Sequence, residues 1–525
     1  MCTCMAERKY PIGIQTFSEI VQGGYEYVDK TAYVYRLAQE GKYFFLGRPR
    51  RFGKSLLTST MEAYFKGEKD LFHGLAIYDM ETEWPVYPVL HIDLNAGEYT
   101  SPDALGEKID TILSGIETQY QIPKLHNDFG VRFEYVIKQI YNLLNQKVVV
   151  LVDEYDKPLL ESIGNTALQE QYRMTLQGFY GALKSCDAQI RFAFLTGITR
   201  FGKLSVFSGL NNLKDISLSG DYAAICGITE DELVSSLNED VNDFAIYNGL
   251  TFDETISELR RRYDGYQFSR RQVRVFNPFS LFNSFSDKEF RNYWYATGTP
   301  TFLIRLLQRD EFDLAMLPEF VMATEDRLGN MGMGTKENVI AALYQSGYLT
   351  LKAYDQNSRM YRLGFPNKEV EEGFLNSLLP FYTGISDAKV DMVMFELRQY
   401  LDQGKANEAM SLLKSILAGV PFESNRNIEL NYRNMLFIVF TLMGGRPLVE
   451  YPVSSGRIDM LLEREKYVYI FEFKLHKTVE EAMNQMMDRH YADAYMSDQR
   501  AVLAVGVNFN DKLKNIEDWQ IVTIK

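Results

Sequence analysis

Histidine is scarce in this sequence, with 5 in 525 residues, and cysteine is scarcer, with 4. No histidine stands at a spacing that would complete a zinc site with the cysteines, which argues against a metal–thiolate centre. Cys2 and Cys4 lie near the N-terminal end, and Cys186 and Cys226 stand alone in apolar surroundings; four reduced thiols are the expectation. A basic excess is missing too. The net charge of −14 counts against a dedicated nucleic-acid binder, although it leaves room for a local basic groove. No apolar run approaches the length of a membrane span, and MCTCMAERKYPIG lacks the apolar core of a signal peptide, so a cytoplasmic protein with no membrane partner is expected. Internal repeats and low-complexity segments are absent as well.

What remains is an ordinary globular composition, 46% apolar and 24% charged, with enough aromatic residues (14%) to argue against long disordered stretches. The length calls for three or four domains.

Four strand-length apolar runs occupy the first two hundred residues: Tyr43–Leu46, Val89–Leu94, Val148–Val152 and Phe192–Leu195. Segments of helical period separate them, among them Ser55–Phe65 and Val131–Leu144. Alternation of this kind predicts a parallel sheet covered on both faces, with ligands at the carboxyl ends of its strands. The first strand runs into Gly47-Arg48-Pro49-Arg50-Arg51-Phe52-Gly53-Lys54-Ser55 and then a helix. Such a loop aims backbone N–H groups and the positive helix end at one point, a phosphate site. Gly53 permits close backbone approach, Lys54 can reach the terminal phosphates, and the Ser55 hydroxyl can ligate Mg²⁺. One departure stands out. The first glycine of G-x-x-x-x-G-K-[ST] falls at Arg48, with Gly47 one place early.

The third strand ends in Asp153-Glu154. Two carboxylates at the end of a buried strand are costly unless compensated. Mg²⁺ on Asp153 and an attacking water on Glu154 would compensate them; the plain alternative is a strand end capped by solvated acids. The fourth strand ends in Thr196-Gly197-Ile198-Thr199-Arg200, where Thr196, Thr199 or Arg200 can sense a γ-phosphate. The strings YVDKT (27–31), RPRRFGKS (48–55), LVDEYDKP (151–158), LTGITRFGK (195–203) and FSGLNNLKDIS (207–217) resemble the AAA-ATPase-like family of bacterial proteins, in which the Arg48 departure is usual. The resemblance covers the first half of the chain and implies an ATP-binding fold related to AAA+ and signal-transduction ATPases.

From Thr229 to Asp310 the pattern is helical, interrupted at Tyr263–Tyr266, Asn277-Pro278 and Thr297–Pro300. In the same family such strings resemble a helical lid. From Lys336 to Asn367 the order of helix, strand, turn and strand is compatible with a winged-helix module. That module would contact DNA or pack against the nucleotide site, and the lack of a dense Lys/Arg run favours packing. The clearest boundary falls at Gly384–Ala388.

In the last segment, Gly456–Leu462 and Tyr467–Lys474 read as a hairpin. Alternation puts Glu472 and Lys474 on one face, and antiparallel pairing brings Asp459 beside Glu472. Paired carboxylates can hold a divalent metal, and the ammonium can orient a water. Glu429, at the start of a long apolar helix, would add a third carboxylate. A helix from Val479 to Tyr491, carrying Gln485, leads to the final strand AVLAVGVNF. This order, with GRIDMLLE…YVYIFEFKL…A-x-x-Q…YAD…VGVNF, resembles the PD-(D/E)XK nuclease superfamily. The resemblance carries over Glu429, Asp459, Glu472, Lys474 and Gln485, and departs where Arg457-Ile458 replaces the proline before the aspartate.

The expected architecture is multidomain α/β: a P-loop ATPase domain (1–228), a helical lid (229–310), a winged-helix-like module (311–384) and a restriction-endonuclease-like α/β domain (385–525). The expected cofactors are ATP and Mg²⁺. Gly53, Lys54, Ser55, Asp153 and Arg200 would hold them and Glu154 would serve hydrolysis, while Glu429, Asp459, Glu472 and Lys474 would form a metal-dependent nuclease centre. DNA or RNA is the expected macromolecular partner, and a homo-oligomer is compatible with the reading. The alternative is a nucleotide-switched scaffold whose nuclease-like domain binds without cutting.

Overall fold

The computed structural model describes residues 8–200, 206–207, 209–294, 303–304, 306–307, 311–317, 321–329, 338–383, 387–419, 428–454, 456–510 and 515–525. Cys2, Cys4, the interruption at Thr297–Pro300, Lys336 and residues 384–386 of the expected boundary lie outside them. Two compact units are present, one of residues 1–297 with 319–371 and one of residues 298–318 with 372–525.

The first unit is built on a five-stranded parallel sheet of β1 (Tyr43–Gly47), β2 (Val89–Asp93), β3 (Val148–Asp153), β4 (Ile190–Gly197) and β5 (Lys214–Asp215), in the order β2-β3-β4-β1-β5. The expectation of a parallel sheet holds. Every residue of β3 is buried, which is why its β-branched run has no polar alternation. The order has a functional consequence: β4 lies between β1 and β3, so its end sits between the loop after β1 and the acids after β3. The two-residue β5 was not expected, being too short to show a period. The helix expected at Val131–Leu144 begins two residues earlier, at Phe129, because the Asp128 carboxylate caps it by accepting from the Val131 N–H.

A helical core follows in the same unit, packed around Leu237, Val241, Phe244 and Leu259. Two of its helices start at capping boxes, Thr229 with Glu232 and Thr251 with Glu254. The interruption at Tyr263–Tyr266 turns out to open a hairpin, β6 (Tyr266–Gln267) with β7 (Arg274–Val275). A three-stranded sheet of β8 (Val321–Thr324), β10 (Met360–Gly364) and β9 (Thr350–Asp355) follows, with the helix Asn338–Gln345 before the β9–β10 hairpin.

The second unit carries a mixed sheet in sequential order: β11 (Pro447–Val453), β12 (Gly456–Glu463), β13 (Tyr467–Leu475), β14 (Ala501–Asn510) and β15 (Asn515–Thr523). The β13–β14 pair is parallel and the others antiparallel. The crossover between β13 and β14 is the helix Val479–Asp488, whose Val479, Met483 and Met486 join Ile470, Val502 and Ala504 in the core. This helix stops short of the expected Tyr491, because His490 takes a left-handed φ of 51°. Strands β11 and β15 flank the predicted hairpin–helix–strand order and were not read from the sequence.

Candidate functional site: a phosphate loop and a carboxylate–lysine cluster

The loop after β1 is shaped by two left-handed residues, Arg51 (φ 68°) and Gly53 (φ 86°). Gly53 immediately precedes the helix Lys54–Phe65, and a Cβ there would meet nothing within 4 Å, so glycine is required by conformation rather than by space. Lys54 is buried. Its Nζ donates to the Pro49 carbonyl at 3.2 Å and lies 3.5 Å from Glu154 Oε1. Asp153, beside Ser55, has its carboxyl held above its usual range chiefly by burial and further by Glu154, with Ser55 opposing the rise. Glu154 turns back with φ 52°, its N–H donating to Asp153 Oδ1 at 3.0 Å. Gly53, Lys54, Ser55, Asp153 and Glu154 are thus brought together. Asp93, level with Asp153 on the neighbouring β2, adds an exposed carboxylate at the same sheet edge.

Arg48 explains the missing glycine. Its guanidinium, 1% exposed, donates to the carbonyls of Gly47 (2.9 Å), Ser217 (2.8 Å) and Tyr222 (3.0 Å) and lies 4.3 Å from the Phe268 ring centroid. Burial pushes its pKa down from the ordinary arginine value. Arg48 therefore ties the loop to later chain instead of facing phosphate. Arg48→Gly, which restores the common pattern, should destabilise the unit by about 3–5 kcal/mol, since three carbonyls, two of them in buried bonds, lose their donor and a cavity opens. Faster amide exchange in β1 and β4 would report the loss; unchanged exchange would refute it.

At the end of β4 the three sensor candidates differ. The Thr196 hydroxyl donates to Leu46 O and the Thr199 hydroxyl to Asp156, so both are engaged. Arg200 places Nε and Nη2 on Asp215 (3.0 and 2.6 Å), while Nη1 has no hydrogen-bond partner among the described residues. The Arg200 backbone N–H donates to Gln345 Oε1 at 2.9 Å. Asp156 escaped the sequence reading. Fully buried, it accepts from the N–H groups of Ile198 (3.1 Å) and Thr199 (2.5 Å), and burial, then Glu154, pushes its pKa up to about 6. The DExD spacing was the available signal.

Residues of the middle region close around the loop from outside. Phe52 meets Tyr266 and Phe268 edge-on at 4.7 and 5.3 Å, and Trp294 Nε1 donates to Arg50 O at 3.4 Å.

In the second unit, Asp459 stands one step beyond the last residues paired between β12 and β13, Met460 and Phe471, which sets it opposite Glu472. Its Oδ2 accepts the Phe473 N–H at 2.7 Å. Lys474 Nζ donates to Glu472 Oε1 (2.6 Å) and Gln485 Oε1 (2.8 Å). Asp459, Glu472, Lys474 and Gln485 are therefore assembled. A cavity of about 220 Å³ is lined by Glu429, Asp459 and Lys474, and also by Glu450, which was not foreseen. Glu450 drops out of the β11–β12 register with φ 52° and so stands beside Asp459. Only the strand pairing reveals it. Burial raises the Asp459 pKa, and Glu450 and Glu429 add to the rise.

Glu472 tests whether a metal fits. It is 1% exposed, its Oε2 has no hydrogen-bond partner among the described residues, and burial, followed by Asp459, pushes its pKa up to about 7. A buried carboxylate oxygen without a donor fits the chemistry of a divalent-cation ligand. Among the described residues no three His, Cys, Asp or Glu side chains are yet gathered closely enough to hold one. Because the folded pKa lies above the ordinary glutamate value, the metal-free unit should lose stability as pH rises from about 4.5 towards 7. Divalent-cation affinity should rise over the same range, since the cation needs the ionised form. Glu472→Gln should weaken Mn²⁺ binding and reduce its pH dependence, with Asp459 supplying what remains; a wild-type affinity indifferent to pH would contradict it.

Two family models match the chain. A predicted AAA-ATPase model covers residues 11–207, and a PD-(D/E)XK nuclease superfamily model covers residues 427–519. A curated relative from Azotobacter chroococcum mcd 1, described as an uncharacterized protein in the vnfD 5' region, is 36% identical over 534 residues, spanning 99% of this chain and all of its own length. The chain belongs to the AAA-ATPase-like family. It carries a PD-(D/E)XK nuclease superfamily domain near its C-terminal end. The AAA-ATPase match contains the loop at Lys54 and the acids at Asp153 and Glu154, and the nuclease-superfamily match contains Glu429, Asp459, Glu472 and Lys474. No helix among the described residues is long and apolar enough to cross a membrane.

Proposed function

We propose that this AAA-ATPase-like protein binds ATP with Mg²⁺ at Gly53, Lys54, Ser55 and Asp153, and that the bound nucleotide governs a metal-dependent nuclease centre at Asp459, Glu472 and Lys474. The reading rests most on the Glu472 carboxylate, kept buried with one oxygen on Lys474 and the other without a donor. The Lys474 ammonium offsets the burial at one oxygen, and a divalent cation would offset it at the other.

At the first site Lys54 would neutralise terminal phosphates, Ser55 and Asp153 would hold Mg²⁺, and Glu154, released from Lys54, would orient a water. Arg200 Nη1, without a hydrogen-bond partner among the described residues, would meet an anion. The contacts of Phe52, Arg50 and Arg200 with Phe268, Trp294 and Gln345 support control, because a change in loop posture must be felt there. At the second site Asp459 and Glu472, assisted by Glu429, would hold a divalent cation, whose chemistry is to polarise a phosphodiester and activate water. Lys474, oriented by Gln485, would stabilise the developing negative charge.

The net charge of −14 and the carboxylates beside Asp459 favour a second reading, a nucleotide-switched scaffold whose nuclease-like domain binds without cutting. A nucleotide and metal titration against a mixed DNA and RNA panel separates the two. Cleavage by wild type that Asp459→Ala removes supports the first. An uncut panel with and without ATP, together with a change of oligomeric state in Lys54→Ala, supports the second.

A further inference from the structure

The first unit contains a cationic surface that no family match includes. A cavity of about 670 Å³ is lined by Arg260, Arg261, Arg274 and Lys352, and a second of about 410 Å³ by Arg270 and Arg359. Gln267 and Gln272 line both, so the two cavities adjoin and form a groove of two neighbouring parts beside the β6–β7 and β9–β10 hairpins. The cations come from residues 260–274 and 352–359, too dispersed in sequence to form a basic run. They meet because the Gln267 N–H donates to Thr350 Oγ1 at 2.8 Å, joining the hairpins.

We propose that this groove binds the phosphodiester backbone of a nucleic acid. Arg270 is prepared for it: its guanidinium lies 4.1 Å from the Tyr354 ring centroid and donates to the Tyr361 hydroxyl at 2.8 Å, which fixes its plane. Carboxylates lie against these cations, and Asp264 lines the larger cavity. Arg260 pairs with Glu230 (2.6 Å), Arg261 with Glu258 (2.5 Å), Arg270 with Glu325 (3.2 Å) and Arg274 with Asp264 (3.8 Å), while Asp355 is turned onto Ser358. The first two arginines also sit in the last turn of the helix Phe252–Tyr263, where the helix dipole alone would favour them. Dipole and pairing do not account for Arg359, which has no ion pair among the described residues, or for Arg274, half-exposed and only loosely paired. A small enclosed ligand would want mostly apolar walls, whereas an open groove of spaced cations suits a polymer read through its charge.

The proposal rests on the functional reading only in requiring a nucleic acid; its test uses binding, not cleavage. The full chain is titrated, with chelator present, against labelled single-stranded DNA, duplex DNA and RNA. Wild type should bind at least one. The double variant Arg274→Ala, Arg359→Ala should bind about 10- to 100-fold more weakly and lose about 2 from the salt slope, one per phosphate contact. Arg274→Lys, Arg359→Lys should restore most of the binding. Wild-type affinity in the double alanine variant overturns the groove, as does failure of wild type to bind any of the three.

Discussion

Lys54→Ala is expected to weaken ATP binding in the presence of Mg²⁺ by about 10- to 100-fold, the worth of a charge-assisted phosphate contact in a partly closed site. Two effects add. The variant removes the ammonium that meets the terminal phosphates. It also strips Glu154 of the cation 3.5 Å away, leaving a carboxylate to repel the incoming triphosphate. Because Lys54 is 4% exposed, the truncation also empties buried space, and Lys54→Met keeps most of that volume without the charge. Calorimetric titration of both variants separates the causes: equal losses assign the effect to charge. Wild-type affinity in Lys54→Met would remove the nucleotide reading of this loop, whatever its sequence pattern.

Asp459→Ala should reduce metal-dependent cleavage by about 10³-fold or more, the scale of several kcal/mol of metal-supplied charge stabilisation. The aspartate is positioned to matter twice. Its Oδ2 receives the Phe473 N–H at 2.7 Å, which fixes it between β12 and β13, and it lines the same cavity as Glu429 and Lys474, where a cation would sit. Removing it also removes the neighbour that, after burial, holds the Glu472 pKa high, so Glu472 should ionise at lower pH in the variant. Residual activity should therefore shift its pH dependence downward. Asp459→Asn, which keeps the shape and the Phe473 contact, should be nearly as inactive. Full cleavage by Asp459→Asn would show that the cation is held elsewhere or not needed.

The groove and the nuclease centre answer different questions, since one concerns where a nucleic acid is held and the other whether it is cut. The acidic character of the whole chain is compatible with both, because charge acts locally over roughly a Debye length of about 8–10 Å.

Much of this protein is legible along the chain. The strands at Tyr43, Val148 and Ala501 announce themselves because a strand buried on both faces, or on one, needs a continuous or alternating apolar run. The loop Gly47–Ser55 and the Asp459, Glu472 and Lys474 spacing are equally local, since each depends on a turn or a hairpin a few residues long. Elements without a period, such as β5, or ones set by neighbours, such as the flanking strands β11 and β15, left no comparable mark. The sequence by itself therefore determined the α/β class, the two family memberships and the residues from which both sites are built. Only the tertiary structure decided that β4 lies between β1 and β3, that Arg48 ties down the loop and that Asp156 holds the turn after β4. It alone set Glu450 beside Asp459 and joined dispersed arginines into one groove. The reason is physical: a buried polar group is defined by partners that satisfy it, and those partners are distant in the chain.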